Sequence, residues 1–136
     1  MSEYVAPTPQ RGVVPYTNIV GASDASAFYQ RAFGATEVTR MTADDGRRLM
    51  HCVVEINGGH LMMSDCFTEH GYDFQPSHSF TMHLNVVDID HWWNRAVEAG
   101  AEIVLPLQRM FWGDRYGQLR DKFGVQWSMN EPVKAG

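Results

Sequence analysis

Two histidines, His51 and His83, are the residues of this sequence best suited to metal or acid–base chemistry. A neutral imidazole binds divalent metals, and it exchanges a proton near neutral pH. Each histidine stands in a short alternating stretch typical of a β-strand, so the two could face one cleft. No glutamate stands at a fixed spacing from either, and a hydrogen-bonded pocket or core histidine is the alternative interpretation of each.

Strand alternation predicts which side chains accompany the two histidines, because neighbouring residues of a strand point to opposite faces. In 47–56 we expect Met50, Cys52, Val54 and Ile56 to meet a helix, with Leu49, His51, Val53 and Glu55 on the other face. In 80–87 the apolar set is Phe80, Met82, Leu84 and Val86, which leaves Thr81, His83 and Asn85 opposite. In 125–130 the apolar set is Val125, Trp127 and Met129, which leaves Gln126, Ser128 and Asn130 opposite.

A third group of candidates lies in the aromatic stretch 110–129. Trp112, Asp114, Arg115 and Tyr116 could form a pocket rim that stacks on an aromatic ligand or pairs with an anionic one. The alternative is that the aromatic rings are packing residues and that Asp114 and Arg115 form a structural ion pair. The predicted ligand-binding residues are therefore His51, Thr81, His83, Asn85, Trp112, Arg115, Tyr116, Gln126 and Ser128. No catalytic residue can be assigned, and Ser64 and Ser128 have no neighbouring base in the sequence.

Composition limits the class of protein. A chain of 136 residues with 44% hydrophobic content suits one compact domain, and a net charge of −5 argues against a nucleic-acid partner. No apolar run approaches the ~18 residues of a membrane span. The two cysteines lack C-x-x-C spacing and the N-terminus lacks the order of a signal peptide, so we expect a reducing, cytoplasmic setting.

The elements that must position these residues form a repeated pattern. Residues 1–11 are expected to be an N-terminal arm, and 12–132 a single domain with modules at about 12–66 and 79–130. Each module reads as strand, helix and three strands. The first helix is capped by Ser23 or Asp24 and ends at Gly34, and the second begins at Asp88 or Asp90 and ends at Gly100. The segment 59–65 of the first module corresponds to 124–130 of the second.

This pattern predicts an α+β fold in which two βαβββ modules form a curved, partly closed eight-stranded mixed sheet with the helices outside. The concave face is then available to a ligand. Several motifs resemble the PhnB-like branch of the vicinal oxygen chelate superfamily, which includes glyoxalases, bleomycin-resistance proteins and extradiol dioxygenases. The motifs are the helix segment AFY with FGA at 33–35, GGHLMMSD at 58–65 and FWGDRYGQLRDKFGVQW at 111–127.

The resemblance implies a small-molecule ligand in the concave cleft and a homodimer in which modules of both chains complete that cleft. Metal-dependent members carry His or Glu ligands at points that fall here near Pro15, Met63, Thr81 and Ser128, none of which is such a ligand. We therefore expect binding without a cofactor. The alternative is a lyase, isomerase or transferase that uses a divalent metal on a vicinal-oxygen substrate.

Overall fold

The structure is a computed structural model that describes residues 12–133, so the predicted arm at 1–11 lies outside the described residues. The first module consists of β1 (Tyr16–Ile19), α1 (Ala22–Phe33), β2 (Thr36–Thr42), β3 (Leu49–Ile56) and β4 (Gly59–Asp65). The second consists of β5 (Met82–Asn85), α2 (Ile89–Ala99), β6 (Glu102–Arg109), β7 (Arg115–Arg120) and β8 (Gln126–Glu131). Within 12–133, no helix has the length and apolar character to cross a bilayer.

The strands form two four-stranded mixed sheets, with the orders β1-β4-β3-β2 and β5-β8-β7-β6. In each sheet the first strand of the module is parallel to the last one, and the remaining pairs are antiparallel. The α+β fold of two βαβββ modules is thus confirmed. The eight strands are divided between two open sheets, each with its own edges.

The two helices pack against each other and each covers one face of its own sheet. Aromatic rings from both modules meet in this shared core. Phe33 and Tyr29 of α1 lie 4.4 and 5.4 Å, centroid to centroid, from Trp127 of β8. The helices cover the largely apolar face of each sheet. The opposite face, the one predicted to be concave, carries polar side chains such as His83 and Ser128, together with the buried Val53 in the first sheet.

Neither helix is capped by the side chain of the residue that precedes it. The residue before α1 is Gly21, with φ of 90°, and the capping role expected of Ser23 or Asp24 is wrong. Instead Asp65 at the end of β4 accepts hydrogen bonds from Gly21 N at 2.7 Å and Ala22 N at 3.1 Å. In the second module, Glu131 accepts from Asp88 N at 2.8 Å. A carboxylate from the last strand thus satisfies the first amides of each helix.

This equivalence of Asp65 and Glu131 corrects the predicted repeat by one residue, since 59–65 corresponds to 125–131. A further correction concerns β3. Thr42 pairs with Leu49 while Met41 pairs with His51, so Met50 is an extra residue in a β-bulge. Leu49 is therefore buried and Met50 is 54% exposed, the reverse of the expected arrangement. The predicted faces of β5 and β8 are confirmed, although Phe80 precedes β5 and is exposed.

The turn between β7 and β8 is organised by the buried carboxylate of Asp121. Its Oδ1 accepts from the amides of Phe123 and Val125 at 2.8 and 3.0 Å. Its Oδ2 accepts from the Tyr29 hydroxyl at 2.7 Å and from Trp127 Nε1 at 2.9 Å. One side chain therefore shapes the turn and also joins it to the helix of the other module.

Candidate functional site

His83 lies on the edge strand β5 of the second sheet, on the face opposite α2, and both of its ring nitrogens are hydrogen-bonded. Nε2 is 3.0 Å from Asn85 Oδ1, and Nδ1 is 2.7 Å from Ser128 Oγ. Because an amide oxygen can only accept, Nε2 carries a proton, and in the neutral imidazole Nδ1 then accepts from the serine hydroxyl. This network fixes the tautomer and the orientation of the imidazole.

The neighbouring strand β7 adds two polar side chains to the same face. Gln118 donates through Nε2 to the hydroxyl of Tyr116 at 3.0 Å, and Gln118 lies opposite Ser128 in the sheet. Asn130 of β8 donates to Asp114 Oδ2 at 2.9 Å. This bond, with one from the backbone of Val133, lowers the pKa of the Asp114 carboxyl below its ordinary value. The centre of this face is thus lined by uncharged polar groups, with the Asp114 carboxylate at one end.

Aromatic rings continue from this polar surface to the tip of the β6–β7 hairpin. His83 is stacked with Tyr116 at a centroid distance of 6.3 Å, Tyr116 meets Trp112 at 6.2 Å, and Trp112 meets Phe111 at 4.8 Å. Trp112 is 47% exposed and Phe111 is 96% exposed. We call these four rings the aromatic row. Large exposed rings beside a polar surface are typical of ligand sites.

The first sheet carries an equivalent pair with the residue types exchanged. Tyr16 of β1 stacks with His51 of β3 at 5.6 Å, and its hydroxyl lies 3.0 Å from His51 Nδ1. Tyr16 pairs with Met62 and His83 pairs with Ser128, and each of these partners lies three residues before the helix-capping carboxylate of its module. Tyr16 and His83 therefore occupy corresponding positions. The two histidines expected to share a cleft therefore lie on different sheets.

These positions do not fit the metal centre that the superfamily implies. Across the described range 12–133, no group of three or more His, Cys, Asp or Glu side chains is arranged to hold a metal ion. His83 already uses both nitrogens in hydrogen bonds, and Met63 is fully buried on the helix side of β4. Metal sites in proteins require three or four such donors converging on one point.

The remaining predicted residues do not all join this site. Arg115 alternates with Tyr116, lies on the helix side of β7 and forms a bidentate ion pair with Asp90 of α2, at 2.7 and 2.9 Å. It neither faces the concave surface nor pairs with Asp114, so it is left out of the candidate site. Thr81 precedes β5 and is exposed, and Gln126 contacts His78 through its amide.

Sequence reasoning also missed two cavities that involve the loop after β4. One, of about 510 Å³, lies on the first sheet and is lined by Asn18, Arg48, Ser64, Phe67 and Tyr72 among others. Another, of about 390 Å³, connects β1 to the start of β8 beside Phe74 and Phe80. The Arg48 guanidinium bonds to Asp45 and to Glu69, and it lowers the pKa of Glu69 to about 2. The aromatic residues within 67–80 were the only sequence signal for these cavities.

Residues 19–129 match the superfamily described as Glyoxalase/Bleomycin resistance protein/Dioxygenase, and the chain belongs to it. An uncharacterised protein of Mycobacterium tuberculosis is 37% identical over 126 residues, which cover 88% of this chain and 74% of that protein. Protein YjdN of Escherichia coli is 28% identical, over 85% of this chain and 92% of its own length.

Solved structures agree with this assignment. Protein PA1353 of Pseudomonas aeruginosa superposes with a TM-score of 0.75 at 25% identity, covering 93% of this chain and all of that one (100%). A Bacillus cereus PhnB protein, described as a putative 3-demethylubiquinone-9 3-methyltransferase, gives a TM-score of 0.72 at 21% identity, over 90% of this chain and 100% of its own. That likeness shows the fold alone, so the resemblance to PhnB-like proteins of this superfamily is confirmed at the level of the fold.

Proposed function

We propose that this protein binds a planar, aromatic small molecule on the concave face of the second sheet and that it does so without a metal ion. The observation that carries the proposal is the environment of His83. Its two ring nitrogens are held by Ser128 and Asn85, while its ring face continues the aromatic row to Trp112. The imidazole is thus a wall of a binding surface and has no nitrogen left for a metal.

Polar groups beside the aromatic row give this surface its selectivity. The Tyr116 hydroxyl accepts a hydrogen bond from Gln118 and can still donate its own proton. Gln118 Oε1 and Asn130 Oδ1 can still accept, since both amides use their nitrogens within the protein. We therefore expect a ligand whose ring stacks on the aromatic row and whose edge carries both a donor and an acceptor.

Fluorescence titration of the full chain with planar heterocycles, beginning with quinoline and 2-quinolone, tests this proposal. Loss of a stacking ring reduces affinity by about two- to twelvefold, because an aromatic pair contributes ~0.5–1.5 kcal/mol beyond its buried area. Trp112→Ala should show that loss. Arg115→Gln is the matched control, since Arg115 lies on the opposite face of the same strand. Equal effects of the two variants would contradict the proposed surface.

Metal analysis of protein purified without chelators tests the proposal that the site works without a metal ion. The superfamily alternative, metal-dependent lyase, isomerase or transferase chemistry, requires a stoichiometric divalent ion. Stoichiometric Zn, Ni, Mn or Fe that disappears in a His51→Ala/His83→Ala double variant would overturn the metal-free proposal. Heterocycle binding that persists after dialysis against chelator would support it.

We further propose that the protein is a homodimer. Exposed apolar side chains lie on edge strands of both sheets, at Val38 and Met41 of β2 and at Ile103 and Val104 of β6. Exposed apolar edges favour association with another chain. Sedimentation at micromolar concentration should give twice the chain mass, and a monomer there would contradict the proposal.

A reducing, cytoplasmic setting is proposed on the state of the two cysteines. Cys52 and Cys66 are both free and buried, and burial raises the pKa of the Cys52 thiol to about 11. Free thiols of this kind are typical of proteins that are not exposed to an oxidising compartment. Fractionation of cells that express the natural chain would test the location.

A further inference from the structure

Arg120, the last residue of β7, has an unusual environment. Its Nε atom is buried and forms no hydrogen bond with any residue in the range 12–133. Its nearest acidic partner is Glu102 of β6, whose Oε2 is 3.9 Å from Nη1. A guanidinium offers five donors in a planar fork, and a buried donor without an acceptor is costly. The fork of Arg120 is therefore incompletely used within the protein.

Two other basic groups lie around the same cavity. This cavity, of about 570 Å³, is formed by the β7–β8 turn and the loop before β5, and it is lined by Arg120, Lys122 and His78. His78 Nδ1 is hydrogen-bonded to the Gln126 side-chain nitrogen, which leaves the proton of a neutral His78 on Nε2. The three side chains can thus all present hydrogen-bond donors.

Two acidic groups, Asp121 and Glu102, lie near this cavity and balance the formal charges of Arg120 and Lys122. Asp121 contributes to the cavity wall, but its two oxygens accept four hydrogen bonds from Tyr29, Phe123, Val125 and Trp127. Glu102 is 69% exposed and makes only the long contact with Arg120. The Asp121 carboxylate is therefore engaged by the protein's own donors, while the Arg120 guanidinium has no close acceptor within 12–133.

We propose that this cavity binds an oxyanion, the carboxylate or phosphate group of a small molecule, with Arg120 as the main contact. Carboxylate and phosphate oxygens match the spacing of the guanidinium fork, whose Nη1 atom lies 3.9 Å from Glu102 in a side chain that is 38% exposed. Lys122 supplies a second charge and His78 a further donor. Arg120 lies on the same face of β7 as Tyr116 and Gln118, at the other end of the strand from Tyr116. The proposed anion site does not depend on the proposed aromatic ligand.

The side-chain Nε–H resonance of Arg120 in the intact protein gives a direct test. Addition of sodium phosphate at constant ionic strength should shift this resonance in a saturable way, while sodium chloride should leave it unchanged. Sodium acetate in a parallel titration distinguishes a carboxylate preference from a phosphate preference. A resonance that does not respond to phosphate or acetate would overturn the proposal.

Substitutions test whether Arg120 is the main contact for the anion. Arg120→Gln should reduce affinity for the better of the two anions by about tenfold or more, because charge-assisted bonds are lost. Arg120→Lys should retain part of this affinity, since lysine keeps the positive charge but lacks the planar guanidinium fork. Glu102→Gln should tighten binding, and Arg47→Gln, at an exposed arginine elsewhere, should have no effect. If Arg120→Gln and Arg47→Gln changed affinity equally, general charge would explain the binding and the site would be rejected.

Discussion

The hydrogen bond between Tyr29 and Asp121 is the residue-scale contact that most clearly joins the two modules. Burial raises the pKa of the Tyr29 hydroxyl well above 10.0, and the neighbouring carboxylate raises it further. A hydroxyl whose pKa is higher in the folded than in the unfolded state stabilises the fold fully below pH 10, and this contribution is lost as pH rises above that value. Tyr29→Phe should therefore lower the free energy of unfolding by about 1–3 kcal/mol at pH 7.

Urea unfolding between pH 7 and 11 measures this prediction. The wild-type protein should lose stability above pH 10 more steeply than Tyr29→Phe, so the difference between the two should shrink as pH rises. Tyr72→Phe is the control, because Tyr72 is 68% exposed and its hydroxyl should contribute little. A constant difference across this pH range would contradict the assigned role of Tyr29.

At the scale of secondary-structure elements, β7 packs closely on α2 because it carries a glycine. A Cβ atom added to Gly117 would lie 2.5 Å from Trp93 Cζ3 and 3.1 Å from Leu107 Cα. Gly117→Ala should therefore cost about 1–3 kcal/mol through overpacking. Thermal unfolding measures the loss. Gly59→Ala in β4 is the matched control, since its Cβ would make only an ordinary contact, 3.6 Å from Ile56 O. Similar losses in the two variants would show that overpacking is not the cause.

The strands and helix starts show how much of the fold could be predicted from the sequence. Alternation correctly assigned the faces of β5 and β8, because Leu84, Trp127 and Met129 leave little ambiguity about the apolar side. It failed at Met50, since a one-residue bulge reverses the alternation without changing the composition. Capping by Asp65 could not be predicted from residues near α1, because the carboxylate is 43 residues from the Ala22 amide it binds.

Part of the candidate site could also be predicted from the sequence. His83, Asn85 and Ser128 lie on one face of the second sheet, as strand periodicity indicated, and Tyr116, predicted only as part of a pocket rim, stacks on His83 there. The sequence could not show that Arg115 is drawn to Asp90, because that pairing depends on how α2 lies across β7. The role of Arg120 was missed for the same reason. Its significance comes from the buried Nε and the neighbouring cavity, which only the packed structure defines.

At the scale of the whole molecule, the two modules share one core, so we predict that they unfold together. Phe28 and Tyr29 of α1 contact Phe123 of the second module at 6.0 and 6.3 Å between ring centroids. Arg95 of α2 donates to the backbone oxygens of Gln30 and Arg31 at 3.1 and 2.7 Å. Neither module can open without exposing apolar surface of the other, which is the condition for a cooperative transition.

Each module supplies its own probe of this transition. All four tryptophans, at 92, 93, 112 and 127, belong to the second module, while Cys52 is a fully buried thiol of the first. In a Cys66→Ser background, labelling of Cys52 and loss of tryptophan fluorescence should share one urea midpoint. Asp121→Ala leaves Tyr29 and Trp127 without their acceptor, and it should lower both midpoints together. Labelling of Cys52 at a lower urea concentration than the fluorescence change would show that the first module opens alone, and the shared aromatic core would then not be what couples the two modules.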